Sequence, residues 1–98
     1  MLRTARGSIS VIVIISSIKG VTGNALSAQG PMQMIASALA LRDGMLPPTA
    51  NLECPDPDCD LDYIPLRARR ADIRRVLVNV HGLGGGNTSL VMEKAAAP

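Results

Sequence analysis

The stretch Ser17–Gly30, SIKGVTGNALSAQG, decides how the rest of the chain is read. It follows the apolar run Ile9–Ile15 (ISVIVII) and combines three glycines with small side chains, Lys19 and Asn24. A nearly continuous β-branched run marks a strand covered on both faces, as in the parallel or mixed sheets of layered α/β folds. Glycines directly after such a strand let the backbone turn tightly and approach other groups closely. Ser8–Ser16 is therefore predicted to be a buried strand, and the quoted stretch a glycine-rich turn leading into a helix.

From Pro31 the apolar spacing becomes helical, with Met34, Ile35, Ala38, Leu39 and then Arg42 following one helix face. Pro31 suits a first turn, where its missing N–H costs nothing. Asp43-Gly44 ends the helix, with Gly44 placed for a left-handed C-cap. Between Met45 and Pro65 stand five of the seven prolines, which predicts an extended loop. Arg75–Val80 then reads as a second strand and Thr88–Lys94 as a third. Joined through the loop His81–Asn87 (HGLGGGN), they read as a hairpin or near-hairpin.

At 98 residues the chain has room for one small domain. It is 47% hydrophobic but 1% aromatic, so a core must come from Val, Ile, Leu, Met and Ala. Aromatic side chains carry the largest burial per residue. Their near absence implies weak autonomous stability, or a segment that finishes its core against other polypeptide. A net charge of +2 indicates neither a nucleic acid nor a membrane partner. In Arg67–Arg75 five arginines surround Asp72 with no interleaved aromatic, which favours a solvated connecting segment, with an acidic protein partner as the alternative.

Two cysteines, Cys54 and Cys59, are too few for a disulfide framework or a zinc site and read as reduced thiols in a cytosolic loop. Alternating Asp56, Asp58, Asp60 and Asp62 suggest a calcium loop. Its sixth and twelfth positions, however, hold Leu61 and Arg67 instead of glycine and glutamate. Arg3 and Arg6 ahead of the apolar run imitate a signal peptide, yet that run is short, has no cleavage motif and is far below a membrane span.

The loop HGLGGGN is neither a P-loop nor a dinucleotide fingerprint, because it precedes a strand instead of opening a helix. Its four glycines offer backbone N–H groups for an oxyanion hole or simply a tight turn. His81, the single histidine, is a strand-end residue or a proton carrier. Lys19 is a surface lysine or a buried ion-pair anchor, and Asn24 a helix cap or a polar group of a site. No nucleophile with its base can be drawn from these residues.

Three blocks together resemble one family. SIKGVTGNALSAQG resembles the S-x-K-S-x-x-G-H-x-x-G-A-A-G block of β-ketoacyl-acyl-carrier-protein synthases, and HGLGGGN resembles their F-G-F-G-G-x-N block. Between them, ALRDGMLPPTANLECPDPDCDLDYIP is similar to the family's A-L-R-D-G-x-x-P-P-T-x-N-L and P-D-P-x-C-D-L-D-Y segments. The likeness runs in order from about Ser16 to Glu93. It leaves 1–7 as an unmatched N-terminal segment and makes 8–98 a partial ketosynthase C-terminal domain. The fold it implies is α/β, the C-terminal fragment of a thiolase-like αβαβα layered sandwich: strand, buried helix, long loop and two strands.

In such enzymes a cysteine takes the acyl chain, and two further residues promote decarboxylation of a malonyl thioester and condensation. By resemblance, the cysteine and the first histidine have no counterpart here. Asn24 stands where the second histidine is usual, and Lys19 where a lysine braces the site; these are the candidate catalytic positions. Leu83 stands where a gating phenylalanine lends its N–H to the oxyanion hole, and His81 where another phenylalanine is usual. With Gly82 and Gly84 they form the candidate substrate-binding loop. Asparagine at 24 keeps an N–H donor able to polarise a thioester carbonyl, as in condensing enzymes of the chalcone synthase type, which use Cys-His-Asn.

The resemblance implies no cofactor and no metal. It implies acyl carrier protein with acyl and malonyl thioesters as partners of the parent enzyme, a dimer with a ketosynthase subunit, no nucleic acid or membrane partner, and a cytoplasmic setting. A chain of this length is expected to be inactive alone. The alternative is a non-catalytic, chain-length-factor-like interaction subunit.

Overall fold

The structure, a computed structural model, describes residues 13–96. The segment 1–7 and most of the expected strand Ser8–Ser16 lie outside the described residues. At the end of that strand Ile14 forms an isolated parallel bridge with Asp62, and the Ile15 N–H donates to the Asp62 carbonyl (2.8 Å).

The expected glycine turn contains two short helical pieces, α1 (Lys19–Thr22) and a 3-10 turn (Leu26–Ala28), on either side of Gly23 at φ +68°. A 15-residue helix, α2 (Gln29–Asp43), follows. It begins two residues ahead of Pro31, which leaves the proline in the first turn, where its missing N–H breaks no ladder bond. Gly44 ends it as expected: it is left-handed (φ 64°, ψ 33°) and its N–H returns to the Ala40 carbonyl.

The face of α2 that packs is not the one the apolar spacing singles out. Gln29, Ala40 and Leu41 are buried, with Gly30, Gln33, Ala36 and Ser37 half-buried along the same side. Met34, Ile35, Ala38 and Leu39 lie open, Ile35 at 62% exposure. The packed stripe, with two glutamines and a serine, is the less apolar of the two, so hydrophobic spacing ranks them the wrong way round. Close approach decides: the β3–β4 hairpin meets the stripe of small residues, where a Cβ on Gly30 would stand 3.8 Å from Val80 Cγ2. The helix is therefore half-covered, not buried.

The proline-rich segment Met45–Pro65 is more structured than the extended loop its composition predicts. Its first two residues form β1 (Met45–Leu46), antiparallel to β2 (Arg69–Arg70), and Thr49 bridges Pro65. Asp62 gathers several of these strands. One carboxylate oxygen accepts the Ile64 N–H (3.1 Å), and both oxygens take a forked contact from the Arg69 guanidinium. Arg69 first, and then the Ile64 N–H, hold the Asp62 carboxyl below its ordinary range. A carboxyl depressed in the folded state contributes stability above its unfolded value, near pH 4, that is lost as pH falls through the folded value. Asp62→Asn is therefore expected to lower the urea midpoint at neutral pH and to remove part of its fall below about pH 4. An acid limb identical to that of the parent chain would refute the assignment.

The hairpin is as expected within a residue at each end: β3 is Arg75–His81, β4 is Asn87–Glu93, paired antiparallel from Arg75↔Glu93 to His81↔Asn87. Val76, Val78 and Val80 face α2, and Val78 is buried. By strand alternation Leu77, Asn79 and His81 point the other way, and Leu77 and its partner Val91 are exposed. Among the described residues the buried apolar set is small: Ala40, Leu41, Leu46, Ile64 and Val78.

Candidate functional site

The contact of Gly30 with Val80 brings two of the singled-out segments to one end of α2. Asn24 lies just upstream of the first turn of α2, and the glycine loop starts one residue after β3. Lys19 is farther along. Its helix α1 lies beside the middle of α2, where Ile18 and Val21 share a groove with Met32, Ile35, Leu39 and Pro47. The Asn51 side chain donates to the Gly20 carbonyl (3.4 Å), and a Cβ at Gly20 would fall 2.8 Å from the Ala50 carbonyl oxygen. Only glycine lets α1 sit this close to 50–51.

Lys19 is exposed and makes no salt bridge with a described residue, so the chain presents it as a surface lysine. Asn24 is exposed too. Its Oδ1 accepts the Leu26 N–H (3.0 Å), and Leu26 takes φ +54°, uncommon for a side chain of that size. Asn24 thus closes an Asx turn ahead of the 3-10 turn and caps neither that turn nor α2. The amide nitrogen of Asn24 donates to no described residue.

In the loop, the Gly82 N–H closes on the Gly86 carbonyl (2.7 Å) and extends the ladder by one pair. Gly84 and Gly85 follow at φ +90° and +94°, a conformation that favours glycine. The N–H groups of Leu83 and Gly84 donate to no described residue, and the Leu83 side chain is 99% exposed. Two unspent amides on a turn held by positive φ can receive an anionic oxygen. His81 borders them, with its Nδ1 2.5 Å from Asn87 Oδ1.

Sequence reasoning missed two residues. Asn87 orients His81, and only the register across the loop reveals the pair. Gln29 is 2% exposed; its Oε1 accepts the Ala25 N–H (3.1 Å) and so braces the segment carrying Asn24. A glutamine at a helix start in a glycine-rich block was the available signal. Among the described residues no group of three His, Cys, Asp or Glu could hold a metal, and Cys54 and Cys59 are free and exposed. No helix among them is long and apolar enough to cross a membrane.

Comparison with known proteins agrees with these blocks. The family model described as beta-ketoacyl synthase, C-terminal domain, matches residues 2–53. A 3-oxoacyl-(acyl-carrier-protein) synthase 2 of Coxiella burnetii is 46% identical over 80 residues, which are 82% of this chain and 19% of that protein. Among solved structures, the ishigamide ketosynthase/chain length factor superposes with a TM-score of 0.79 at 36% identity, over 83% of this chain and 20% of the other. A type II PKS acyl-carrier protein in complex with its ketosynthase bound to the hexaketide (AntDE:AntF) gives a TM-score of 0.81 at 36% identity, over 86% of this chain and 21% of the other. The chain thus spans about a fifth of the length of the relatives it matches. It belongs to the beta-ketoacyl synthase family, as a thiolase-like C-terminal portion.

Proposed function

We propose that the chain contributes the glycine-loop side of a ketosynthase site, in which acyl and malonyl thioesters borne by acyl carrier protein are joined with loss of carbon dioxide. The observation that carries this is the pair of unspent amides at Leu83 and Gly84, held open by positive φ at Gly84 and Gly85 within a family block. Asn24 then serves as an N–H donor to a thioester carbonyl, Lys19 as the brace, and Leu83 as the gate. Gly82 and Gly84 shape the loop, and His81 adjoins the substrate. The acyl nucleophile comes from polypeptide upstream in the family order, which also covers the open Ile35–Leu39 face of α2 and completes the core. A cytoplasmic setting with Cys54 and Cys59 reduced accompanies this role.

Alone, the chain is expected to form no ketoacyl product from acyl- and malonyl-carrier protein above the uncatalysed background, because its cysteines, Cys54 and Cys59, lie in the proline-rich segment and cannot replace the acyl-bearing cysteine of the family. Turnover above background would overturn the assignment. The second reading, a chain-length-factor-like subunit without catalysis, draws support from the solved ketosynthase/chain length factor relative. Co-purification with a full-length synthase whose own cysteine and histidines are intact would favour it.

A further inference from the structure

We propose that Gln29, with Gln33 behind it, is the positioning residue that fixes how Asn24 is presented; this rests on the ketosynthase reading above, in which Asn24 is a donor, and deepens it. Gln29 stands where the block S-x-K-S-x-x-G-H-x-x-G-A-A-G carries alanine, just as Asn24 stands where it carries histidine. A carboxamide sealed at 2% exposure costs free energy unless its polar atoms are hydrogen-bonded. Filling the same space needs only an apolar side chain, so the carboxamide is there for its bonds.

Those bonds act on Asn24 through the backbone. Gln29 Oε1 accepts the Ala25 N–H (3.1 Å), which belongs to the peptide unit joining Asn24 to Ala25. Peptide units are planar, so this bond sets the plane in which the Asn24 carbonyl lies. The next N–H, of Leu26, is taken by Asn24 Oδ1 (3.0 Å). With the backbone and Oδ1 both held, the planar carboxamide leaves Nδ2 one direction in which to donate. The turn needs such support, because Leu26 sits at φ +54° while 71% exposed and gains little burial in return.

The Ala25 N–H also fixes which end of Gln29 is oxygen, so Nε2 is the atom left over. It is buried with no hydrogen-bond partner among the described residues, and so is Gln33 Oε1. Residues four apart are neighbours on one helix face, and here one group lacks an acceptor and the other a donor. In the proposed arrangement they complete each other, directly after a small rotation or through one shared water. The link then runs from Gln33 through Gln29 to the peptide of Asn24. A donor stabilises developing charge only from a preset direction, so loss of Gln29 should weaken what Asn24 does without abolishing it.

The test uses the full chain, isotope-labelled, with NMR as the readout. Gln29→Met fills nearly the same space without a polar atom, and Gln29→Glu restores an acceptor at the same reach. In Gln29→Met the Ala25 amide should exchange with solvent about tenfold faster than in the parent chain, and the Asn24 side-chain NH2 signals should move. Gln29→Glu should return both toward the parent values, and Gln33→Met should give a smaller change in the same sense. No change in Gln29→Met, the result for a glutamine that only fills space, would overturn the proposal; no change in Gln33→Met would overturn its second half. A malonyl-pantetheine analogue with an amide in place of the thioester reads the link to function. It should shift the Asn24 NH2 in the parent chain and bind Gln29→Met several-fold more weakly. Equal binding by the two chains would remove the positioning role and leave the ketosynthase reading standing. If the analogue moves neither Asn24 nor the Leu83 and Gly84 amides of the parent chain, both fall.

Discussion

Ile64→Ala is expected to lower the unfolding free energy by about 3 kcal/mol, seen as a fall in the urea midpoint of the helical circular dichroism signal. Among the described residues Ile64 is the most buried large apolar side chain, at 2% exposure, in a set that otherwise contains Ala40, Leu41, Leu46 and Val78. Truncation removes its transfer free energy and leaves a cavity that its neighbours fill only in part. Small domains with thin cores hold only about 5 kcal/mol in total, so about 2 kcal/mol would remain and a few per cent of the chain should be unfolded in water. Hydrogen bonds from Thr49 clamp the position: the Ile64 carbonyl accepts the Thr49 N–H (2.9 Å), and the Tyr63 carbonyl accepts the Thr49 hydroxyl (2.6 Å). They hold Ile64 at φ +48°, an outlier for a β-branched residue. Alanine at that φ keeps much of the strain and loses the burial that offsets it. A loss below about 1 kcal/mol, the scale of a methylene deletion, would mean that Ile64 is not the keystone of this core.

Elements governed by local rules were legible in the sequence. Gly44 ends α2 because a left-handed C-cap favours glycine, and β3 and β4 pair across HGLGGGN because the glycines supply the positive φ of the loop. What depended on tertiary choice was not. Two stripes run along α2, and the hairpin chose the smaller and less apolar one, with Gly30, Ser37 and Leu41, over the one with Ile35 and Leu39. The positive φ at Leu26, Ile64 and Leu66 contradicts side-chain preference; at Ile64 and Leu66 it is imposed by hydrogen bonds to a distant residue, Thr49. At the candidate site, the family blocks pointed to Lys19, Asn24 and Leu83, while the contact of His81 with Asn87, six positions away across a turn, shows only in the structure.

The open stripe of α2 gives the second large effect, because its sign separates two states of the protein. In the chain alone, Ile35→Lys with Leu39→Lys is expected to cost under about 0.5 kcal/mol, the ordinary effect of a surface change. Ile35 and Leu39 are 62% and 43% exposed, and lysine is a good helix former. Were the same side chains buried, as the helical spacing first implies, each truncation would cost roughly 2–5 kcal/mol. Urea titration decides between these by several kcal/mol. When the chain is joined to the upstream portion of a ketosynthase, the expectation reverses. Ile18, Val21, Ile35, Leu39 and Pro47 line one apolar groove, and two ammonium groups buried there without partners would carry a desolvation cost of several kcal/mol each. Co-expressed with that portion, the double variant should be lost from the complex that the parent chain forms. Retention of the variant would show that something other than this face holds the two parts together.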